Sequence, residues 1–370
     1  MNKKTKVIAM YLPQYHEIPE NNEFWGEGFT DWITTQNAKP LFKGHEEPRV
    51  PLGNTYYNLS KEEAIIWQSS LALKYGVEGF AVYHYWFNNE KNLLTKPAEL
   101  IRDSDEVKIN YFLAWDNASW VRSWSNVNGN SWAPMAEKKI DKQGRTVLIP
   151  YIIGSEKDWE NHFNYLILHF QSPKYIKVNN KPVFIIFNFD SQVKSMCAYW
   201  ETLAQENGFA GMHFIIKKDK KNNPIPSSYY QFKYEPLNSG WAFSFPFRME
   251  RKLRKIFKLH PRLHIYSYKK IWRQIINNAR KDTQQNMYHG AFVQYDDTPR
   301  RGKGGTLTLG ENPDVFQKEL ATLIEINDKQ SKDFIFLTAW NEWGEGAYLE
   351  PDTQWRYAFL EALQHATQQK

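Results

Sequence analysis

Eight short runs of apolar, β-branched and aromatic residues recur along the 370-residue chain, and helix-like stretches separate them. The runs are Lys6–Tyr11, Gly79–His84, Ile109–Trp115, Pro182–Phe187, Met212–Lys217, Tyr229–Tyr234, Gly290–Tyr295 and Phe334–Ala339. Their length suits strands buried on both faces. Between them, 3.6-residue periodicity marks helices at Lys61–Tyr75, Asp158–Phe170, Ser191–Asn207, Tyr268–Arg280, Pro313–Asn327 and Gln354–Gln368. Strand and helix in alternation imply a parallel sheet, and eight strands is the number that closes one into a barrel. The expected fold class is therefore α/β, a single (β/α)8 barrel over residues 1–370 with 217–273 as a basic insertion or an elaborated βα region. Ser60 and Glu63 have the spacing of a capping box, and Gly76 is placed to end that helix.

Such barrels gather their reacting groups at the carboxyl ends of the strands. Here the first run leads into Pro13-Gln14-Tyr15-His16, the second ends in Tyr83-His84-Tyr85-Trp86-Phe87 and the third in Trp115-Asp116-Asn117. The seventh continues through Gln294-Tyr295-Asp296-Asp297-Thr298-Pro299-Arg300, and the eighth empties into Trp340-Asn341-Glu342-Trp343-Gly344-Glu345-Gly346. Glu342 and Glu345 are the candidate catalytic pair. Retaining glycosidases hold two carboxyls about 5–5.5 Å apart, a separation that residues three apart in a tight loop can reach.

Aromatic residues make up 16% of the chain, and many stand beside polar residues at strand ends, where they can stack on sugar rings. Trp25, Trp32, Trp86 and Trp115 are read this way, with ordinary core packing as the alternative. His16 and His84 fit hydrogen bonding to sugar hydroxyls better than metal ligation, because no third ligand has suitable spacing. No metal or other cofactor is expected. Tyr15, Asp31, Tyr83, Asp116, Asn117, Asp296, Asp297, Asn341, Trp343 and Tyr348 complete the candidate sugar-binding set. Arg300, following Asp296 and Asp297, could order its loop or meet an anionic sugar or phosphate. Glu350 could belong to the site or cap the last helix.

Composition narrows the partners. Charged residues are 24% and hydrophobic residues 42%, as in ordinary globular proteins. The net charge of +6 is concentrated between Lys217 and Arg273, without the motif or stacking platform of a nucleic-acid binder. Within that region, Phe247–Lys258 places Met249, Leu253, Ile256 and Phe257 on one helical face, ringed by Arg248, Arg251, Lys252, Arg254, Lys255 and Lys258. This is either the solvated face of an insertion or a helix for an anionic membrane surface. The lone Cys197 excludes an intrachain disulfide framework and reads as a buried small side chain in a reducing compartment. Val7–Leu12 is stopped by Pro13 and is too short for a signal-peptide core, and no run approaches a membrane span. A cytoplasmic protein is expected, at most peripheral at the inner membrane face.

Five stretches, Tyr11–His16, Phe24–Trp32, Gly79–Phe87, Asp296–Arg300 and Trp340–Pro351, together resemble the WbsX-type proteins of bacterial surface-polysaccharide clusters, whose domain is related to glycoside hydrolase family 99. The resemblance implies a (β/α)8 barrel and metal-independent, retaining, endo-α-mannosidase-like chemistry in which the sugar's own 2-hydroxyl takes part. It also implies that Glu342 deprotonates that hydroxyl and that Glu345 is the general acid and base. The implied substrate is an oligosaccharide or polysaccharide of O-antigen or capsule metabolism, free or lipid-linked. Two positions depart from the pattern: Trp115-Asp116-Asn117-Ala118 replaces Trp-Ala-Asn-Glu, and Phe29-Thr30-Asp31-Trp32 replaces Phe-Thr-Glu-Trp. Two other function classes stand beside this one. A nucleotide-sugar glycosyltransferase lacks support from any Rossmann-like glycine pattern or strand-end Asp-x-Asp motif, and Ala118 leaves room for a non-catalytic glycan-binding barrel.

Overall fold

The structure, a computed structural model, describes residues 5–121, 147–219, 224–242, 244–257 and 262–368. Eight parallel strands form a closed ring: β1 (Lys6–Tyr11), β2 (Gly79–Asn88), β3 (Asn110–Trp115), β4 (Lys181–Ile186), β5 (His213–Lys217), β6 (Tyr230–Phe232), β7 (Met287–Phe292) and β8 (Phe334–Thr338). The ring shuts where β1 pairs with both β2 and β8, with Ile8 opposite Gly79 on one side and Phe336 on the other. Around it lie α1 (Glu62–Lys74), α2 (Lys96–Asp103), α3 (Glu156–Phe170), α4 (Ser191–Glu206), α5 (Phe245–Ile256), α6 (Tyr268–Lys281), α7 (Pro313–Lys329) and α8 (Ala358–Gln368). Among the described residues no helix lies between β5 and β6, and none is long and apolar enough to cross a membrane.

The expected barrel is thus present, with local differences. β2 runs four residues past His84 and folds back against the short strand Lys91–Leu93. β7 begins three residues before its apolar run, because the polar tips of Tyr288 and His289 find partners inside: Tyr288 donates to Asp333, and His289 Nε2 lies 2.9 Å from Gln330 Oε1. The capping box at Ser60 does not form. Its hydroxyl donates to Asn58 Oδ1 instead, and the box appears at α3, where Ser155 and Asp158 satisfy each other's backbone N–H groups. The basic region 217–273 contains β6, a π-helical turn at Asn238–Ala242, α5, the strand His264–Ser267 and the start of α6. Lys220, Lys221 and Lys258 lie outside the described residues. Cys197 on α4 is fully buried, and burial pushes its thiol up, away from the reactive thiolate.

Aromatic side chains fill the lumen. Phe112 on β3 lies 6.3 Å from Phe334 and 6.2 Å from Phe336 on β8, and Phe232 on β6 lies 4.9 Å from Phe336. These strands are not neighbours in the ring, so the rings can meet only through its middle. The lower barrel is therefore a packed plug. Phe336→Ala is expected to destabilise the fold by about 3–5 kcal/mol in urea unfolding; a loss well below that range would show that the lumen is not a core.

Candidate active site

The end of β8 is shaped by a tight turn. Asn341–Glu342 pairs antiparallel with Ala347–Tyr348, and the 3₁₀ turn Trp343–Glu345 joins them, closed by Gly346 in the left-handed region at φ 53°. Glu342 stands immediately before this turn and Glu345 is its last residue. Both line a cavity of about 510 Å³ at the carboxyl ends of the strands.

Tyr83 from β2 and Tyr234 just beyond β6 stand on opposite sides of the barrel, and their hydroxyls meet at 2.8 Å above the aromatic plug. Tyr234 also reaches Glu342, donating to Oε1 at 3.3 Å. At the other carboxylate, Arg300 Nη1 donates to Glu345 Oε1 at 2.7 Å while Nη2 donates to Asp31 Oδ2 at 3.0 Å. Asp31 further accepts the Gly344 N–H at 3.3 Å. A Cβ at position 344 would lie 2.7 Å from Asp31 Oδ2 and 2.8 Å from Arg300 Nε, so any other residue there would have to displace this ion pair. One guanidinium thus ties the end of β8 to the short helix Asp31–Gln36 that follows β1.

Burial pushes the Glu342 carboxyl up to about 8, and the neighbouring Glu345 adds to the rise against the opposing pull of the Tyr83 hydroxyl and Arg300. Asp116 is likewise raised by burial, with Lys217 acting the other way. Lys217 sits in the same cavity wall, its Nζ 4.4 Å from the Phe187 ring centre.

The structure brings Trp25, Tyr83, Asp116, Arg300, Glu342 and Glu345 to the cavity wall. Other candidates lie elsewhere. His84 and Trp86 point outward from β2 to α3, where His84 Nε2 lies 2.8 Å from His162 Nε2 and the Trp86 ring stacks on His162 at 4.3 Å. Trp115 also faces that helix, 5.0 Å from His162. Asn117 clasps the end of β4 through Asn188, and His16 is buried with its imidazole lowered to about 4 by desolvation.

Tyr15, Trp32, Asn341, Trp343, Tyr348 and Glu350 form the support behind the Glu342–Glu345 turn. Tyr15 donates to the Asn341 carbonyl and accepts from the Trp343 N–H, while Trp32 packs 5.5 Å from Trp343, which stacks on Tyr348 at 3.7 Å. Glu350 caps no helix. It accepts from Tyr57, Gln68 and Trp343 at 2.7–2.8 Å, and burial raises it to about 7. Asp297 accepts from the Thr306 N–H and pairs with Arg301 rather than Arg300.

Asp296 belongs to a buried cluster with His45 and Glu47 whose donor atoms are close enough to surround a cation. The hydrogen bonds argue for a different use. His45 Nδ1 accepts the Leu41 N–H at 3.0 Å, so the ring proton sits on Nε2 and is donated to Asp296 at 2.7 Å. With Arg49 also 3.9 Å from Asp296, the set is an ion-pair network behind the turn. Its link to the site is direct, because the Asp296 N–H donates to the Glu345 carbonyl at 2.7 Å.

The sequence profile of the Glycosyltransferase WbsX family matches residues 7–363. The chain belongs to that family. It is 27% identical over 366 residues to the uncharacterized protein WxcX of Xanthomonas campestris pv. campestris strain B100, a match covering 97% of this chain and 49% of that one. The chain therefore spans about half the length of the curated relatives it matches. In fold it is similar to a glycoside hydrolase-like protein, with a TM-score of 0.58 at 11% identity over 99% of this chain and 94% of the other. It is also similar to the GH99 endo-alpha-mannosidase from Bacteroides thetaiotaomicron, with a TM-score of 0.55 at 14% identity over 98% and 96%.

Tyr85, Lys217 and Tyr234 line the cavity although none was a sequence-level site candidate. Tyr85 had a usable signal, since it shares the inward phase of Tyr83 two residues away. Lys217 and Tyr234 are the last residues of the fifth and sixth runs, which is the same strand-end signal in weaker form.

The raised carboxyls make stability depend on pH. Between the ordinary glutamate value and about 8, folded Glu342 keeps a proton that the unfolded chain has lost, so stability falls as pH rises through that window. Glu350 and Glu235, each raised to about 7, act in the same sense. Buried His16, His84, His169 and His289, lowered to about 3–4, oppose this only below about 6.5. Urea unfolding is expected to show stability declining from pH about 6.5 to about 8, with a shallower decline in Glu342→Gln; an identical slope in the two proteins would contradict the assignment.

Proposed function

We propose that the protein is a retaining enzyme acting at an α-glycosidic bond of a bacterial surface glycan, either by hydrolysis or by transfer to an acceptor sugar. The observation that carries this is the placement of Glu342 and Glu345 at the two ends of one tight turn, in one cavity, with different surroundings. Glu342 sits deep beside the Tyr83–Tyr234 hydroxyls, whereas the Glu345 side chain is 20% exposed and held by Arg300.

In the proposed reaction, Glu342 takes the proton of the sugar 2-hydroxyl as its oxygen attacks the anomeric carbon. Glu345 gives a proton to the departing glycosidic oxygen. A carboxylate with a raised pKa is a stronger base once ionised, which suits this first step. In the second step Glu345 takes a proton from water or an acceptor hydroxyl, that oxygen attacks the anomeric carbon, and Glu342 returns the proton to the 2-oxygen. Two inversions leave the α configuration unchanged. Asp116, beside Lys217, is the carboxylate available to sugar hydroxyls where Ala118 offers none. The buried thiol of the single Cys197 suits a reducing compartment, and we place the reaction in the cytoplasm.

Membership of a family of glycosyltransferases favours a second possibility, transfer from a nucleotide-sugar donor, whose diphosphate would meet Lys217, Arg300 and Arg301 in the cavity wall. Calorimetric titration with UDP-, GDP- and dTDP-sugars separates the two, since heat of binding is expected only for such a donor enzyme.

Glu342→Gln and Glu345→Gln are each expected to lower turnover of an α-linked oligosaccharide by about 10²–10⁴-fold while sugar binding survives. Activity of the wild type should rise as pH increases through the raised Glu342 value, because the base must be ionised. An activity that instead falls across that range would make Glu342 the acid and reverse the roles.

A further inference from the structure

Helix α5 turns an apolar stripe away from the protein. Phe245, Met249, Leu253 and Ile256 recur every three or four residues and so share one helical face, 65, 39, 44 and 59% exposed. Phe257, directly after the helix, is 66% exposed. Phe247 lies about half a turn away from the stripe, and its ring packs 4.9 Å from His264 and 6.5 Å from Tyr266. That contact fixes which side of α5 faces the body.

The charges are ordered in the same way. Glu250, on the opposite side of the stripe from Arg248 and Lys252, is paired with Arg254 at 3.0 Å and Arg262 at 3.5 Å. Arg248 and Lys252, both exposed, border the stripe along one edge. Single exposed apolar residues need no explanation, but four on one helical face, followed by an exposed Phe257 and bordered by cations along one edge, do.

The helix is also tied to the cavity rim. Tyr234 and Leu237 line the cavity, and the π-helical turn Asn238–Ala242 leads from them towards α5. Within that turn Trp241 is buried against Tyr266 at 5.0 Å and against Tyr295, another cavity residue, at 5.2 Å.

We propose that α5 docks on an anionic lipid bilayer and that the cavity receives its glycan there, as a lipid-linked chain. The apolar stripe would enter the boundary between headgroups and acyl chains while Arg248 and Lys252 meet lipid phosphates. Charge complementarity selects the bilayer over a second copy of this chain, because a two-fold contact would set one cationic patch against another. The docking surface stands independently of the proposed chemistry; only the lipid-linked form of the substrate rests on it.

Vesicle flotation tests this with phosphatidylcholine alone and with phosphatidylcholine mixed with phosphatidylglycerol. The wild type is expected to float with the mixed vesicles only. Arg248→Gln/Lys252→Gln should bind them roughly thirtyfold more weakly, and Leu253→Asp/Ile256→Asp should not bind. Circular dichroism and turnover of a soluble oligosaccharide, read separately, should be unchanged in both, since these side chains are exposed and outside the cavity. Equal partitioning into neutral vesicles, or variants that bind like the wild type, would overturn the proposal. A concentration-dependent dimer that Leu253→Asp/Ile256→Asp dissolves, without vesicle binding, would overturn it in favour of a second copy.

Discussion

Everything in this molecule depends on the seam where the first strand meets the last. Parallel strands satisfy their backbone groups only when both edges are paired, and the ring satisfies the last pair by joining β1 to β8 across more than three hundred residues of chain. The seam continues beyond the strands: the Trp340 N–H donates to the Met10 carbonyl at 2.8 Å, and the Asn341 amide binds both the N–H and the C=O of Leu12 at 2.7 and 3.0 Å. A side chain thereby extends the backbone ladder by one step. The turn carrying Glu342 and Glu345 starts from that fixed point, so sheet closure also orients the carboxylates.

Burial sets the electrostatics. Glu342, Asp116 and Glu350 are all raised mainly by desolvation. Arg300 offsets part of that cost where two carboxylates converge, and its planar fork can serve Asp31 and Glu345 together in a way a lysine could not. The shorter side chain at position 31 is compatible with this, since its oxygen still reaches both Arg300 and the Gly344 N–H.

The eight strands were legible because strands buried on both faces write continuous apolar runs. The same property hid which way their side chains point. In β2 nearly every residue is buried, so no polar alternation distinguishes Tyr83 and Tyr85, which face the cavity, from His84 and Trp86, which face α3. The Glu342–Glu345 turn could be recognised as a pair because its spacing is local. The Arg300 bridge to Asp31 spans 269 positions and the His45 contact with Asp296 spans 251, and no local pattern announces either. Helix α2 escaped notice for a simpler reason: eight residues give the helical period barely two turns in which to repeat.

The hydroxyl bridge between Tyr83 and Tyr234 gives the cavity a closed bottom, resting on stacked rings rather than opening through the barrel. A pocket closed below imposes traffic on its upper side. Whatever fragment departs from the proposed intermediate must clear the entrance before a bulky acceptor can occupy its place, whereas water needs no such vacancy. The balance between cutting and transferring a glycan would then be governed at the rim, by how long the first product lingers there, more than by the two carboxylates beneath it.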